Sequence, residues 1–294
     1  MKSDPAAEPP ADPRTADTAA REEAAKKHGR AGRDLTAAIS VGLSLVAMII
    51  ASLYFYKDSF AVIVSAALVV ALFELKRALS TAGVSIPVVP VLIGGLAMML
   101  SVYWGEGRRT MTVFAITVLS ILIYRLRFGA RGFVLDATAG VFVLSYLFVM
   151  GTFVLQMLRA EDGEWRIVAF IACTIGSDIG GYAAGVFFGK HPMAPQISPK
   201  KSWEGFAGSL VTGMIVGTIV VSVFLDGHWW VGIILGAASV IMATAGDLCE
   251  SVIKRDIGVK DMGHLLPGHG GIMDRLDSLI AVAPVSYLVM ATLL

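Results

Sequence analysis

The residues most able to do chemistry fall at the two edges of a charged, glycine-rich stretch between two apolar segments. Asp247 ends the first of these segments, and Asp274 and Asp277 begin the second. Asp274 and Asp277 are three apart, so on a helix they share a face. Asp247 reaches the same point if the two helices are antiparallel neighbours. An all-oxygen set of this kind suits Mg²⁺, a hard cation that also takes substrate phosphates. Between the edges, Gly268, Gly270 and Gly271 let the backbone approach a phosphate closely. Lys254, Arg255, Lys260 and Arg275 bring the positive charge that a polyphosphate demands. His269, flanked by glycines, is a candidate for touching phosphate. With His264 it makes no zinc site, because no cysteine or third histidine completes a usual ligand set.

Two further clusters lie upstream. Ser177 and Asp178 interrupt an apolar segment, and an aspartate at membrane depth is costly unless it is paired or faces water. Asp178 therefore reads either as a ligand for metal or nucleotide or as the partner of a Lys or Arg on a neighbouring helix. Gly176, Gly180, Gly181 and Gly185 read equally well as a small-residue face for close helix packing. In the second cluster, Ser198 and Ser202 are donors for phosphate oxygens, Lys200 and Lys201 supply compact charge, and Glu204 is placed to orient one of the lysines. Carboxylates, lysines and a glycine-rich loop together point to phosphoryl or nucleotidyl transfer, where positioning and charge neutralisation carry most of the catalysis. The Gly-x-x-x-x-Gly-Lys-Ser/Thr run of the P-loop enzymes is absent from the sequence.

The elements that must position these residues are membrane helices. Of 294 residues, 56% are hydrophobic and only 16% charged, with a mean hydropathy of +0.73; soluble domains are markedly more charged. The net charge of +1 gives no reason to expect nucleic acid as a partner. The pattern predicts an all-α, polytopic integral membrane protein with about nine spans, at 35–56, 59–79, 86–104, 110–126, 136–158, 165–189, 205–225, 229–247 and 276–294. The boundary near Lys57-Asp58 is the shortest break. Residues 1–34 are polar and predicted disordered, which divides the chain into a tail and a transmembrane catalytic domain, 35–294. No signal peptide is expected, since the first apolar run begins only near Leu35. Most basic residues fall on the tail's side, and only Lys57, Arg108, Arg109, Arg159 and Arg166 fall opposite. That asymmetry puts the tail and the catalytic loops 190–204 and 248–275 in the cytoplasm. Cys173 and Cys249 make no disulfide framework, and both are expected to pack as small apolar residues.

Ser251, Lys254, Arg255, Lys260, Asp261, Gly263, His269, Gly270, Gly271, Asp274, Arg275 and Asp277 stand in the register of one family signature. The stretch 251–277 resembles the carboxy-terminal motif of the phosphatidate cytidylyltransferases (CDP-diacylglycerol synthases), and the two upstream clusters are similar to motifs of that family. The resemblance spans at least 176–278. It implies an enzyme of the cell membrane that joins CTP and phosphatidate to give CDP-diacylglycerol and pyrophosphate. It also implies Mg²⁺, with a second cation such as K⁺, and metal ligands at Asp247 and Asp274 with Asp277 as their neighbour. Lys254 and Lys260 join Asp247 and Asp274 as expected catalytic residues. Ser198, Lys201, Ser202, Glu204, Ser251, Arg255, His269, Gly270, Gly271 and Arg275 are the expected substrate contacts. Implied partners are CTP, phosphatidate and the bilayer, with a homodimer left open. Two other readings use similar parts: a CTP-dependent lipid kinase, and a secondary transporter, whose usual inverted repeat is not visible here.

Overall fold

The computed structural model describes residues 35–105, 107–263 and 270–294, and of residues 35–41, 43 and 45 only the backbone. The tail 1–34 and the candidates His264, Gly268 and His269 lie outside the described residues. The described helices are α1 (Leu35–Phe55), α2 (Lys57–Thr81), α3 (Val88–Tyr103), α4 (Thr110–Leu126), α5 (Phe133–Leu158), α6 (Gly163–Phe188), α7 (Trp203–Phe224), α8 (Trp229–Asp256) and α9 (Met273–Leu293). Six of them, α2 and α5 to α9, are long and apolar enough to cross a membrane. The apolar stretches of the other three are shorter, at Val46–Phe55, Val88–Tyr103 and Thr110–Leu126. At 1.5 Å per residue, 16 or 17 residues reach about 25 Å, short of the ~30 Å hydrocarbon core. The chain is a multi-pass membrane protein. Hydropathy makes α3 and α4 look like the long helices; only their length sets them apart.

Two departures from the expected loops matter for the site. The segment 190–204 carries a small antiparallel hairpin, β1 (Pro192–Ala194) against β2 (Ser198–Ser202). Helix α8 does not stop at Asp247 but continues to Asp256, so Ser251, Lys254 and Arg255 stand on a helix rather than in a loop. The extension has local causes. Glu250 and Lys254 form an i,i+4 ion pair at 2.6 Å, and Lys254 and Arg255 complement the negative end of the helix dipole. Gly258, at φ +73°, follows the helix end. Cys173 is buried as expected, whereas Cys249 is exposed.

Helices α6 to α9 pack through small residues. A Cβ on Gly208 would come 2.7 Å from the Gly180 carbonyl, and one on Gly246 would come 2.6 Å from the Ala281 Cβ. The first contact joins α7 to α6 and the second joins α8 to α9. Without a hydrophobic drive between helices in lipid, such backbone approach supplies the van der Waals contact that holds them. Ser209 adds a buried hydrogen bond of 2.7 Å to the Ser177 carbonyl. Asp178 and Asp247 thus sit on helices held at close quarters.

A buried ion pair ties the loops on the same side of the bundle. Arg125 and Asp136 are each 6% exposed and meet at 2.8 Å. Arg125 also donates to the carbonyls of Gly129 and Arg131, and Asp136 accepts from the Ser85 N–H at 2.8 Å. Every partner is local to the α2–α3 or α4–α5 connection. Arg125→Ala is expected to cost about 3–5 kcal/mol, because Asp136 is left charged, buried and without its cation. Thermal unfolding in detergent micelles measures it; an unchanged melting temperature would refute the buried-pair assignment.

Candidate active site

A cavity of about 320 Å³ opens between α6, α7, α8 and the hairpin, near the lower end of the ~300–1,000 Å³ usual for ligand sites. Its polar wall comes from Ser177 and Asp178 on α6, Lys200, Lys201 and Ser202 on β2, and Asp247 on α8, with Ser278 of α9 at the edge. Glycines make the room, since Gly181, Gly185 and Gly205 also line it. The structure therefore brings together three clusters that are far apart in sequence.

Each wall residue is held by local structure. Ser202 is the N-cap of α7, its Oγ accepting from the Gly205 N–H at 3.1 Å. Because the oxygen accepts in that bond, the hydroxyl hydrogen is left to donate. Lys201 reaches Asp247 across the cavity at 2.5 Å, and Ser251, one turn on, donates weakly to the other Asp247 oxygen at 3.5 Å. Asp178 faces the cavity within electrostatic reach of Asp277, Asp247, Lys201 and Arg275. It lines the cavity as a ligand would, and it shares its field with the cations Lys201 and Arg275 of neighbouring elements.

Glu204 does not orient a lysine side chain. Its Oε1 meets His191 Nδ1 at 2.5 Å, and its Oε2 accepts the N–H groups of Lys190 and His191. It anchors the start of the hairpin to the first turn of α7. The hairpin's far end is fixed by Arg255, whose Nε donates to the Ile197 carbonyl at 2.5 Å. Ser198 begins β2 opposite Ala194 and does not line the cavity. His191 has no mark in the sequence, where a lone histidine between a lysine and a proline carries no pattern.

Behind the cavity lies a second layer of charge. Lys254 bridges Glu250 Oε2 and Asp274 Oδ1, both at 2.6 Å. Asp274 Oδ2 accepts from the Gly271 N–H at 2.8 Å, and the Met262 N–H adds a longer bond. Asp277 accepts from the Ser278 N–H at 2.6 Å, and it lies beside Gly246, where α8 and α9 touch. Gly270 adopts φ +82°, which favours glycine. Gly271 makes room for a carboxylate from elsewhere: a Cβ there would come 2.6 Å from Glu74 Oε2. Lys260 and Arg275 are exposed and, like Lys254 and Asp274, do not line the cavity.

The donors present fit a hard cation. Among the described residues no group of three or more His, Cys, Asp or Glu side chains is close enough to hold a metal alone. Mg²⁺ needs no such cage, since it is usually held by one or two carboxylates with waters and substrate phosphates. Asp247 is already matched to a cation, the Lys201 ammonium. Glu250 Oε1 is buried against the Asp277 carboxyl, close enough for the two acids to share a hydrogen bond. The hydroxyl of Tyr146, also buried and without a hydrogen-bond partner, lies within the electrostatic field of Glu250 and Asp277. It stands on the π-helical turn Leu144–Val149 inside α5, an irregularity frequent at functional sites.

A family model described as "Cytidylyltransferase family" matches residues 36–293. The chain belongs to the cytidylyltransferase family. It is 43% identical to the phosphatidate cytidylyltransferase of Mycobacterium bovis, covering 93% of this chain and 94% of that one. The phosphatidate cytidylyltransferase of Mycobacterium leprae is 41% identical over 94% and 93%. That of Haemophilus influenzae is 33% identical over 65% of this chain and 62% of its own length. The family match includes all nine described helices and the hairpin, so the cavity lies wholly within it.

Proposed function

We propose that this protein transfers the cytidylyl group of CTP to phosphatidate, releasing pyrophosphate and leaving CDP-diacylglycerol in the membrane. The observation that carries the reading is the cavity itself, lined by Asp247, Lys201 and Ser202 within a membrane helix bundle. The names of the mycobacterial relatives supply the nucleotide and the lipid. All nine described helices cross or enter the bilayer, and the hairpin and the carboxy-terminal end of α8 face the cytoplasm at the plasma membrane, as the basic-residue asymmetry favours. The cavity is lined by helices and the hairpin of one chain.

In the reaction a phosphatidate phosphate oxygen bonds to the α-phosphorus of CTP. The bond from that phosphorus to the bridging oxygen breaks, and pyrophosphate leaves with the electron pair. The attacking group is already anionic, so the protein's main tasks are alignment and charge neutralisation. Lys201 and Lys200 meet phosphate charge from the hairpin, and the Ser202 hydroxyl donates from the head of α7. Asp247 and Asp277, with Asp274 when it leaves Lys254, are the residues that would hold Mg²⁺, and a second cation such as K⁺ would share this carboxylate layer. The bound metal would supply positive charge to the triphosphate. Lys254 keeps Asp274 and Glu250 from repelling one another, and Arg255 fixes the hairpin that carries Lys201. Lys260 and Arg275, both exposed, would offset charge on the lipid headgroup or on the leaving pyrophosphate.

The purified chain with labelled CTP, phosphatidate and Mg²⁺ is expected to form CDP-lipid and pyrophosphate in equal amounts, and none after metal chelation. Formation of CDP without pyrophosphate would replace this reading with a lipid kinase.

A further inference from the structure

The start of α9 is gripped by two carboxylates, and one of them comes from the far end of the sequence. Helix amino termini leave unpaired N–H groups. Here three consecutive ones, Gly271, Ile272 and Met273, are divided. Asp274 takes Gly271, while Glu74 Oε1 takes Ile272 at 3.1 Å and Glu74 Oε2 takes Met273 at 2.8 Å. Glu74 belongs to α2 and is only 9% exposed. Its carboxylate is cradled by two glycines: a Cβ on Gly263 would come 2.3 Å from Oε1, and a Cβ on Gly271 would come 2.6 Å from Oε2. A buried carboxylate needs such a setting, because burial without partners would be costly, and the positive end of the α9 dipole adds to it.

We propose that Glu74 is a positioning residue for the reaction, holding the first turn of α9 so that Asp274 is not drawn wholly into capping it. Asp274 already shares its oxygens between Lys254 and the backbone. With Glu74 gone, the Ile272 and Met273 N–H groups are left buried beside Asp274, the adjacent carboxylate, and compete with Lys254 or a cation for it. Glu74 then acts through Asp274 and touches neither substrate. The inference rests on the reaction assigned above.

Glu74→Gln preserves volume but offers one acceptor oxygen to two N–H groups and turns an NH₂ toward the other. In the full chain, kcat at saturating CTP and phosphatidate is expected to fall about tenfold or more, with KM for CTP within about twofold. Hydrogen exchange at the Ile272 and Met273 amides is expected to quicken while the melting temperature of the bundle moves little. Gly263→Ala, which keeps the Glu74 charge but displaces it, is expected to do the same, and it decides the question if Glu74→Gln fails to fold. Undiminished kcat in the folded variants, an effect confined to KM, or a lowered melting temperature with normal turnover would each overturn the proposal. A wild-type chain that forms no CDP-lipid would instead strike the assigned reaction, and the exchange result would stand apart from it.

Discussion

Asp247→Asn is expected to lower turnover at saturating CTP and phosphatidate by about 10²–10³-fold, the scale seen when one preorganised polar group is removed from a transition-state site. Asp247 lines the cavity and is the residue there that pairs directly with Lys201. The amide removes the charge that holds Lys201 in place and leaves a poorer ligand for a hard cation, so orientation and electrostatics fail together. The fold should survive, because Asp247 is partly exposed to the cavity and its neighbour Gly246, which makes the α8–α9 contact, is unchanged. The measurement is CTP-dependent CDP-lipid formation beside a melting curve in the same detergent. Near-normal turnover in a folded variant would remove Asp247 from the reaction.

Much of this site is legible in the sequence because its chemistry concentrates in runs. The Ser177-Asp178 pair, the Ser-Pro-Lys-Lys-Ser run and the charged stretch after Asp247 are each conspicuous against apolar surroundings, and charge within membrane segments is rare enough to signal function. In the sequence, neighbouring antiparallel helices are the condition for Asp247 to approach Asp277, and in the structure Gly246 packs against the Asp277 backbone. Helix ends are less legible. Hydropathy falls at Asp247, but hydrogen bonding does not, and the Glu250–Lys254 pair carries α8 on to Asp256. The hairpin is invisible to periodicity because β1 has only three residues and β2 is Ser-Pro-Lys-Lys-Ser, with none of the apolar alternation of an ordinary strand. Glu74 and Arg125 are missed for a different reason. Glu74 accepts N–H groups 198 and 199 residues away, Arg125 meets Asp136 across the α4–α5 connection, and no local pattern marks either pairing.

Lys254→Met is expected to reduce both stability and activity, and the two losses have a common origin. Lys254 is 17% exposed in its side chain and sits between Glu250, at 2%, and Asp274, at 9%. Methionine matches its length but brings no charge, so two buried carboxylates face one another without a cation. Breaking such a group costs about 3–5 kcal/mol, most of it the penalty on the charges left behind. If that penalty is the cause, removing one of the charges should relieve it. Glu250→Gln introduced into Lys254→Met is therefore expected to raise the melting temperature above that of Lys254→Met alone, a non-additive result that a double-mutant cycle reads directly. Activity should not follow. Asp274 would lose the cation that holds it at 2.6 Å and turn to the Gly271 and Met262 N–H groups, and restoring stability through Glu250 does nothing to bring it back. A double variant no more stable than Lys254→Met would show that Lys254 packs rather than neutralises, and recovery of turnover together with stability would show that the loss of activity was only a loss of fold.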